Sequence, residues 1–333
     1  MKIIINRLQS FCNYSCVIIF TIFIQNSPYL FAQNSFYVPH NTLSVGAGTA
    51  SYYGDLSPYS RPIQSTIDEI RWNIAANYIH SFGNHWSTRV GLKYIRIAGD
   101  DANMLGVKGK EARFVRNLHF RNDVKELSLM MAYDFVNAPR YYAKRKLLSP
   151  YLLGGITAFL HSPEAKTPDG TWVKLRPLNT EGQGLPNYDT PYKVWGMGAA
   201  VGAGIRIKLS PHLDLGLESS FHYAFTDYLD DVYGKYASNT DLTDPLAIAM
   251  ANRSGEKVAI LSGIDRTEGI RSYVVLKEPF YANPATDPFT STSIRNFGRA
   301  GTSRGGSALK DGYLVTSINL IFHLPNKVVC PKY

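Results

Sequence analysis

The sequence predicts an all-β protein, an eight-stranded antiparallel transmembrane β-barrel of the outer-membrane type with long extracellular loops. Three observations indicate this fold. Eight segments alternate between large apolar residues and small or polar ones with a period of two, which is the period of a β-strand. Every second connection between these segments is the shorter one. After the N-terminal region no apolar run approaches 18 residues, so a membrane-spanning helix is not expected.

The N-terminal residues 1–33 have the layout of a secretory signal peptide. Basic residues precede an apolar run at 16–24, and a small residue follows at Ala32, so we expect cleavage near Ala32 or Gln33. The alternative is an N-terminal membrane anchor. The apolar run is too short to span about 30 Å of hydrocarbon, which favours the signal peptide.

The composition of the expected mature chain limits its function classes. Two of the 35 Lys and Arg residues lie in the leader, so 33 remain against 26 Asp and Glu, a formal net charge of +7. Cys330 is then the remaining cysteine of the three, and one thiol cannot form an internal disulfide. A mean hydropathy of −0.15 suits strands that are apolar on one face. The sequence contains no HExxH, CxxC or glycine-rich phosphate motif, so we predict no enzyme activity, cofactor or metal.

The first four segments each have one large apolar face and one small or polar face. This pattern is typical of strands that separate two different environments. The apolar faces are Leu43, Val45 and Ala47 in 42–56; Trp72, Ile74 and Tyr78 in 71–82; Val90, Leu92 and Tyr94 in 86–98; and Leu127, Leu129 and Met131 in 123–136.

The fifth and sixth segments are less regular. The fifth, 150–161, is apolar on both faces, so its orientation stays open. In the sixth, VWGMGAAVGAGIRIKL at 194–209, large apolar residues alternate with four glycines and then with Arg206 and Lys208. Glycine weakens a strand, so this face should be crowded, as the inside of a narrow barrel is. We expect the glycines to make room for long charged side chains of neighbouring strands.

The last two segments, 212–228 and 312–324, return to a clear alternation. Inward residues of the seventh are acidic or small, apart from His222, whereas its outward residues are large and apolar. We expect the following residues to face outward: Leu213, Leu215, Leu217, Ile318, Leu320 and Phe322.

The connections alternate between long and short. They comprise roughly 14 residues, then 83–85, then roughly 24, 13 and 31 residues, then 210–212, then more than 80 residues. Outer-membrane barrels show this alternation, with short periplasmic turns, long extracellular loops and both termini in the periplasm. The predicted organisation is a barrel at 42–324, long loops at 99–122, 162–192 and 229–311, and a periplasmic C-terminal tail at 325–333.

Charged residues on the inward faces form the candidate functional site. A barrel of eight strands is filled by its own side chains, so it is a plug rather than a pore. Unpaired charges inside it would be costly, and we therefore expect an internal network of ion pairs. The predicted members of this lumen charge network are Arg89, Lys93, Glu126, Asp134, Arg206, Lys208 and Glu218.

Two further polar clusters suggest chemistry, but each has a plainer interpretation. Glu218, Ser220 and His222 share one face and look like a hydrolase set. Residues two apart on a strand lie about 7 Å apart, too far for direct proton transfer, so polar filling of the lumen is preferred. The three aspartates of TDYLDD, 226–231, could hold Ca²⁺ at the barrel rim, although a solvated rim is preferred.

Two basic segments are candidate contacts with the membrane. Loop 99–122 carries five Lys and Arg residues that could bind lipopolysaccharide phosphates, the alternative being a solvated basic loop. At the opposite end, AKRK at 143–146 could meet phospholipid headgroups or an acidic periplasmic partner, or simply be solvated.

The last long connection should contain local structure because of its length. DPLAIAMANR at 244–253 has an Asp cap followed by helix formers, which predicts a short helix. The segment 295–307 is rich in Gly, Ser and Arg and is predicted to be mobile. An exported chain is not expected to bind nucleic acid.

Several motifs resemble those of a known family. They are YYGDL at 52–56, KLRPLNTEGQGLP at 174–186, TDYLDDVYGKY at 226–236, NRSGE at 252–256 and the closing RGG…DGYLVTSINLIF. They resemble the Bacteroidota outer-membrane β-barrel family that includes the PorG-type components of the type IX secretion and gliding machinery. The similarity runs from about residue 42 to residue 324, and the motifs are typical of the family as a group rather than of the secretion component.

The resemblance implies an integral barrel in the cell outer membrane without known catalytic residues. PorG-type members are associated with a periplasmic lipoprotein ring, so the resemblance implies a non-enzymatic anchor of a secretion or envelope complex. The expected partners are outer-membrane lipid, lipopolysaccharide and periplasmic lipoproteins. The alternatives are a surface-binding or adhesion barrel that works through its long loops, and a lipid-modifying outer-membrane enzyme.

Overall fold

The computed structural model describes residues 38–139, 144–283, 285–306 and 309–325. The predicted signal peptide at 1–33 lies outside the described residues. So does the predicted tail, except for its first residue.

Ten strands lie within these ranges, and each of the eight predicted segments corresponds to one of the long ones. The strands are β1 (His40–Tyr53), β2 (Arg71–Ser81), β3 (Trp86–Asp100), β4 (His119–Asp134), β5 (Leu148–Leu160), β6 (Glu164–Lys166), β7 (Trp172–Lys174), β8 (Trp195–Ser210), β9 (Leu213–Ala224) and β10 (Gly312–His323). The α-helices are α1 (Pro62–Asp68), α2 (Glu111–Arg116), α3 (Pro245–Ala251), α4 (Thr267–Lys277) and α5 (Thr292–Arg295).

The eight long strands close into one antiparallel ring. Their order is β3-β2-β1-β10-β9-β8-β5-β4, and β4 pairs back to β3. The short strands β6 and β7 form a hairpin that joins the ring where Arg121 of β4 pairs with Glu164. The predicted closed eight-stranded barrel is confirmed. Strands β3 and β4 extend beyond their predicted ends, so the connection between them is 101–118 rather than 99–122.

Burial alternates along the strands as the sequence pattern predicts. On β4 the exposed fractions of Leu127, Leu129 and Met131 are 51%, 50% and 47%, whereas those of Glu126 and Ser128 between them are 2% and 1%. A continuous apolar exterior around a charged interior is stable only when lipid covers the outside. The barrel strands therefore span a membrane.

Aromatic residues mark both edges of this apolar belt, as they do at membrane interfaces. Trp86 and Tyr133 pack together near the short turns, with ring centroids 4.9 Å apart. Trp72 stacks on Tyr94 near the long loops, with ring centroids 5.5 Å apart. Among the residues that the structure describes, no helix has the length and hydrophobicity needed to cross a membrane.

The structure settles the orientation of β5, whose sequence is apolar on both faces. Tyr151, Leu153 and Phe159 are buried in the interior, whereas Leu152 and Ile156 face outward. These inward residues bring apolar surface to both ends of the lumen.

The glycines of β8 make room for aromatic rings and backbone rather than for charged side chains. A Cβ on Gly196 would lie 2.7 Å from the Phe159 ring, and one on Gly204 would lie 2.5 Å from the Tyr151 ring. The prediction of a crowded inner face is thus correct, but the expected occupant was wrong. The neighbouring strand β5 fills this space with its two large aromatic residues.

The connections at the long-loop end pack together into a structure that we call the cap, which comprises the described residues within 54–70, 101–118, 161–194 and 225–311. Buried Leu56, Leu229 and Val232 of the cap join Ile95 and Phe120 of the strands in one apolar cluster that closes the barrel mouth. Elsewhere in the cap, helix α2 packs on α4.

The last connection is ordered by specific contacts. Helix α3 confirms the predicted short helix, and the Asp244 side chain accepts a hydrogen bond from Leu246 N at 2.9 Å. The expectation of a mobile 295–307 segment is wrong for Arg304. Its guanidinium is buried, 3.1 Å from Glu181 and 3.8 Å from Asp231.

Candidate functional site

The barrel interior contains ionisable groups in layers, and the layer nearest the cap centres on Glu126. Tyr313 Oη donates a hydrogen bond to Glu126 Oε2 at 2.6 Å. His222 Nδ1 lies 2.8 Å from the same oxygen, and Lys93 Nζ lies 3.6 Å from Oε1. Every one of these side chains is buried. The carboxylate is therefore surrounded by donors from three other strands.

The middle layer centres on Glu218. Arg89 Nη1 and Tyr151 Oη each donate a hydrogen bond to Glu218 Oε2, both at 2.6 Å. The Arg206 guanidinium lies over the Tyr151 ring, 4.5 Å from its centroid. The two cations thus flank the tyrosine whose hydroxyl binds the carboxylate.

The layer at the short-turn end contains two carboxylates. Arg206 Nη1 lies 2.9 Å from Asp134 Oδ1. Arg145 and His323 both bind Asp214, the histidine Nε2 at 2.8 Å from Oδ2. Arg145 also donates to the Ser210 and Pro211 carbonyls. The basic turn at 143–146 was expected to be solvated or else to meet headgroups or a partner, but its Arg145 is part of the internal network, and Ala143 lies outside the described residues.

Side-chain contacts in the upper two layers cross the barrel, in addition to the Lys93–Glu126 pair between the neighbouring strands β3 and β4. Strand β3, which holds Arg89 and Lys93, lies four strands from β9 in either direction round the ring. Arg89 of β3 binds Glu218 of β9, and Lys93 Nζ lies 3.3 Å from His222 Nε2 of β9. These contacts join opposite walls, so side chains occupy the barrel axis at two levels.

The structure brings most of the predicted lumen residues together in these layers. The predicted Lys208 lies at the end of β8, half-buried and opposite Asp214 in the strand register. Sequence reasoning missed several members of the network. Those outside the predicted list are Tyr151, Asp214, His222, Tyr313, Arg145 and His323. Tyr151 and Tyr313 each bind a lumen glutamate, so the presence of inward tyrosines in a barrel with inward carboxylates could have indicated these two residues.

The residues that lie together are not the three, Glu218, Ser220 and His222, that the sequence suggested as a hydrolase set. Ser220 Oγ lies 3.0 Å from His222 Nε2, although separation along the strand predicted that these groups would be too far apart. Their side chains lean toward each other. The carboxylate beside His222 is Glu126, because Glu218 binds Arg89 and Tyr151 instead. Ser220, His222 and Glu126 are only 2%, 1% and 2% exposed, so a substrate has no direct access to the serine.

The rim aspartates point to separate partners in the cap. Tyr192 Oη donates to Asp231 at 2.7 Å, Asp227 lies 3.8 Å from Lys310 Nζ, and Asp230 binds Tyr52. Burial raises the pKa of Asp227 and of Asp231 to about 6. Within the described ranges, no group of three or more His, Cys, Asp or Glu side chains could hold a metal ion.

Tyr52 lies between two buried carboxylates. Its hydroxyl is 2.7 Å from Asp230 Oδ2 and 2.6 Å from Asp311 Oδ1, and it also accepts a hydrogen bond from Asp55 N at 3.2 Å. Burial, with the other carboxylates nearby, raises the pKa of Asp230 well above its ordinary value. A phenol has one proton, so the second short contact needs a protonated carboxyl group.

All three arginines of the basic segment 99–122 bind within the protein. Arg116 Nε donates to Asp101 at 2.7 Å, Arg121 Nη2 donates to Glu164 at 3.0 Å, and Arg113 donates to the Asp55 carbonyl. Lys108 and half-buried Lys110 remain at the surface of this loop. Fewer basic side chains of this loop are therefore available to bind lipopolysaccharide phosphates than the sequence suggested.

The chain is similar to one family model and to several solved structures. A family model described as "Domain of unknown function (DUF6089)" matches residues 19–174, just under half of the chain. No curated protein matches the chain by sequence.

Several solved outer-membrane proteins are similar in structure. Neisserial surface protein A is 9% identical, with 85% of this chain and 96% of that chain covered and a TM-score of 0.34. A major outer membrane protein from Thermus thermophilus is 10% identical, with 86% and 100% covered and a TM-score of 0.34. Ail of Yersinia pestis is 13% identical, with 57% and 90% covered and a TM-score of 0.29. At these values, functional properties do not transfer.

The strand pairing and the two surfaces of the barrel establish its location. The ring is closed, its exterior is apolar and its interior is charged, which is the arrangement of outer-membrane barrels. The protein is an outer-membrane β-barrel.

Proposed function

We propose that the protein is a non-enzymatic structural component of the outer membrane that anchors an envelope complex. The transverse ion pairs carry this proposal. Arg89 and Glu218 meet across the lumen, and His222 meets Lys93 and Glu126 from across the lumen at a second level. A barrel filled in this way offers its rim, turns and outer wall to partners rather than a path for solutes.

The finer assignment is a PorG-like component of a type IX secretion complex that binds periplasmic lipoproteins. Five sequence motifs between residues 52 and 322 support it by resemblance. The short turns would then be the docking surface in the periplasm, and the cap would lie at the cell surface.

Site-specific photo-crosslinking tests this role at two matched positions. Gly83 in a short turn and Gly255 in the cap both have open space where a side chain would extend. A photoreactive phenylalanine derivative at either site should therefore leave the barrel assembled. We expect Gly83 to capture periplasmic lipoproteins and Gly255 not to do so. Capture of lipoproteins from Gly255 alone would reverse the orientation and remove the anchor proposal.

Two other functions have one supporting observation each. A surface-binding barrel is supported by a polar pocket in the cap between residues 181–189 and 233–241. A lipid-modifying enzyme is supported by the Ser220–His222–Glu126 distances, but the burial of Ser220 weighs against it. We therefore favour the anchor.

A further inference from the structure

The cap contains a pocket of about 660 Å³ that is separate from the lumen charge network. Its walls come from three segments, 181–189, 233–241 and 301–305, together with Tyr228. Pockets that hold small ligands have volumes of about 300–1,000 Å³. The size therefore suits an organic ligand rather than a single ion.

One wall of the pocket is held rigidly by Glu181. This carboxylate accepts hydrogen bonds from Tyr233 N at 3.0 Å and Gly234 N at 3.1 Å. Glu181 Oε1 also accepts a hydrogen bond from Nη1 of the buried Arg304 guanidinium at 3.1 Å. The wall is thus fixed before a ligand arrives, which lowers the entropy cost of binding.

Tyrosines supply the apolar part of the lining. Tyr228 stacks on Tyr192 behind it, with ring centroids 4.5 Å apart and an interplanar angle of 12°. The Tyr233 ring follows at 5.4 Å from Tyr228. Tyr188 donates its hydroxyl hydrogen to Asp241 at 2.6 Å. Rings fixed in this way present an apolar face beside a polar edge, which matches the C–H faces and hydroxyl rims of sugar rings.

Two buried polar groups in the lining lack ordinary hydrogen bonds. Gln183 is 2% exposed, and its Oε1 accepts from Glu181 N at 3.1 Å, whereas its Nε2 has only the Tyr228 side chain beside it and makes no hydrogen bond of normal length and angle among the described residues. The Tyr236 hydroxyl likewise makes no such hydrogen bond among these residues. A buried polar group without a partner is unfavourable, so a hydroxyl-rich ligand in contact with these two groups would be favoured.

The charges of the pocket select against ionic ligands. The Glu181 carboxylate is neutralised by Arg304, and Asp189 and Asp241 remain against Lys235. Lys310 lies nearby, so the charges roughly balance, and a phosphate or sulfate would meet no cluster of cations among the lining residues. Cationic groups already occupy the region, because Lys235 lines the pocket and Lys310 Nζ lies 4.9 Å from the Tyr233 ring centroid.

We propose that this pocket binds a short neutral saccharide. The ligand would stack on Tyr228 or Tyr233 and would accept a hydrogen bond from Gln183 through a hydroxyl group. This inference goes beyond the anchor role, and each can fail without the other. The saccharide could come from the polysaccharide of the same cell surface or from a foreign glycan.

A glycan array tests the proposal with the purified full chain in detergent. The array holds neutral, sulfated and amino-sugar oligosaccharides, together with neutral polysaccharide released from the producing cells by mild acid. We expect retention on neutral glycans, and the two neutral arms distinguish the sources. Retention only on sulfated or amino sugars, or on none, would overturn the proposal.

Three variants decide whether binding occurs in this pocket. Gln183→Met removes the buried donor at similar length, and Asp189→Ala removes an exposed acceptor. Each should weaken the binding of a neutral array hit at least tenfold in a titration. Glu268→Ala on α4 changes an exposed carboxylate outside the pocket and should bind like wild type. Unchanged affinity in both pocket variants would exclude this site, and a heat-modifiable gel shift confirms that each variant is folded.

Discussion

The Tyr52 hydroxyl lies within hydrogen-bond distance of a carboxylate oxygen of both Asp230 and Asp311. Its single proton can serve only one of these contacts, so a second proton must be held by one of the two carboxyl groups. The same region holds Asp55, whose pKa burial also raises, so several carboxylates compete for few hydrogens. A group whose pKa is raised in the folded state stabilises that state at low pH, and the stabilisation is lost as pH rises through the folded pKa. The part of the cap around this cluster should therefore be more stable against local unfolding at low pH than at high pH.

The first prediction concerns the pH dependence of this cluster. Between pH 5 and pH 8 the wild-type cap segment 225–236 should lose protection against amide hydrogen exchange. Asp230→Asn keeps the shape and removes a charge, so its protection at pH 8 should rise by about tenfold, equivalent to one pKa unit. The measurement is exchange corrected for the intrinsic rate at each pH.

The matched control is Asp169→Asn. This carboxylate is exposed, and a hydrogen bond from Thr167 lowers its pKa, so the substitution should leave segment 225–236 unchanged. Equal pH profiles of wild type and Asp230→Asn would show that the shared proton has no part in cap stability.

At the scale of the elements, the strands could be predicted because their signal is local. A period of two assigns each residue to a face without knowledge of any other strand, and burial on β4 follows that assignment. β5 stayed open because Leu153 and Phe159 face inward among apolar neighbours, so neither face was polar. The strand ends were less certain because β3 and β4 continue past the apolar belt into the cap.

The contacts of the site were harder to predict because they join distant parts of the chain. Arg304 and Glu181 are 123 positions apart, and no local pattern marks either as a partner of the other. The same holds for His222 and Glu126, which lie on different strands and meet only once the register is known. Sequence alone could therefore identify inward charges but not their pairs.

The second prediction tests the register of β8. A Cβ on Gly198 would lie 2.5 Å from the Tyr223 carbonyl oxygen, so Gly198→Leu forces backbone to move and should cost about 1–3 kcal/mol or more. Ala199 faces outward, and Ala199→Leu should be nearly neutral. Ala199→Arg places a charge against lipid and should cost about 2–4 kcal/mol near mid-membrane. Assembly is measured by the heat-modifiable fraction in outer membranes.

Ala199→Leu is the control for both other variants. It adds the same side chain as Gly198→Leu at the neighbouring outward position, and it changes the same residue as Ala199→Arg without adding a charge. Normal assembly of Gly198→Leu together with failure of Ala199→Leu would place the strand in the opposite register.

At the scale of the whole molecule, two features block the lumen independently. The lumen charge network crosses the axis, and the apolar cluster around Phe120 and Leu229 closes the mouth beneath the cap. The cluster would exclude ions even if the charged layers were hydrated. The protein should therefore be closed in every state that keeps the cap in place.

The third prediction is the absence of ion conduction. Purified protein in planar bilayers should show no current steps beyond those of the empty membrane. A variant with Arg89, Lys93, Glu126 and Glu218 all replaced by alanine should also stay closed, because the apolar cluster blocks the mouth, and conduction by this variant would show that the network is the barrier. Stable steps from the wild-type protein would contradict a filled barrel and remove the main support for the anchor role.

The transverse pairs also bear on how the chain reaches its folded state. Arg89 and Glu218 are 129 positions apart, and Tyr313 of the last strand binds Glu126 of the fourth across 187 positions. Contacts of such long sequence separation form late, since a large loop must close before they contribute. Before the ring closes, Glu126 would thus lack Tyr313, and Glu218 would lack Arg89. Only when β10 joins β1 is the interior complete, which makes the final strand the step that commits the whole barrel to its native state.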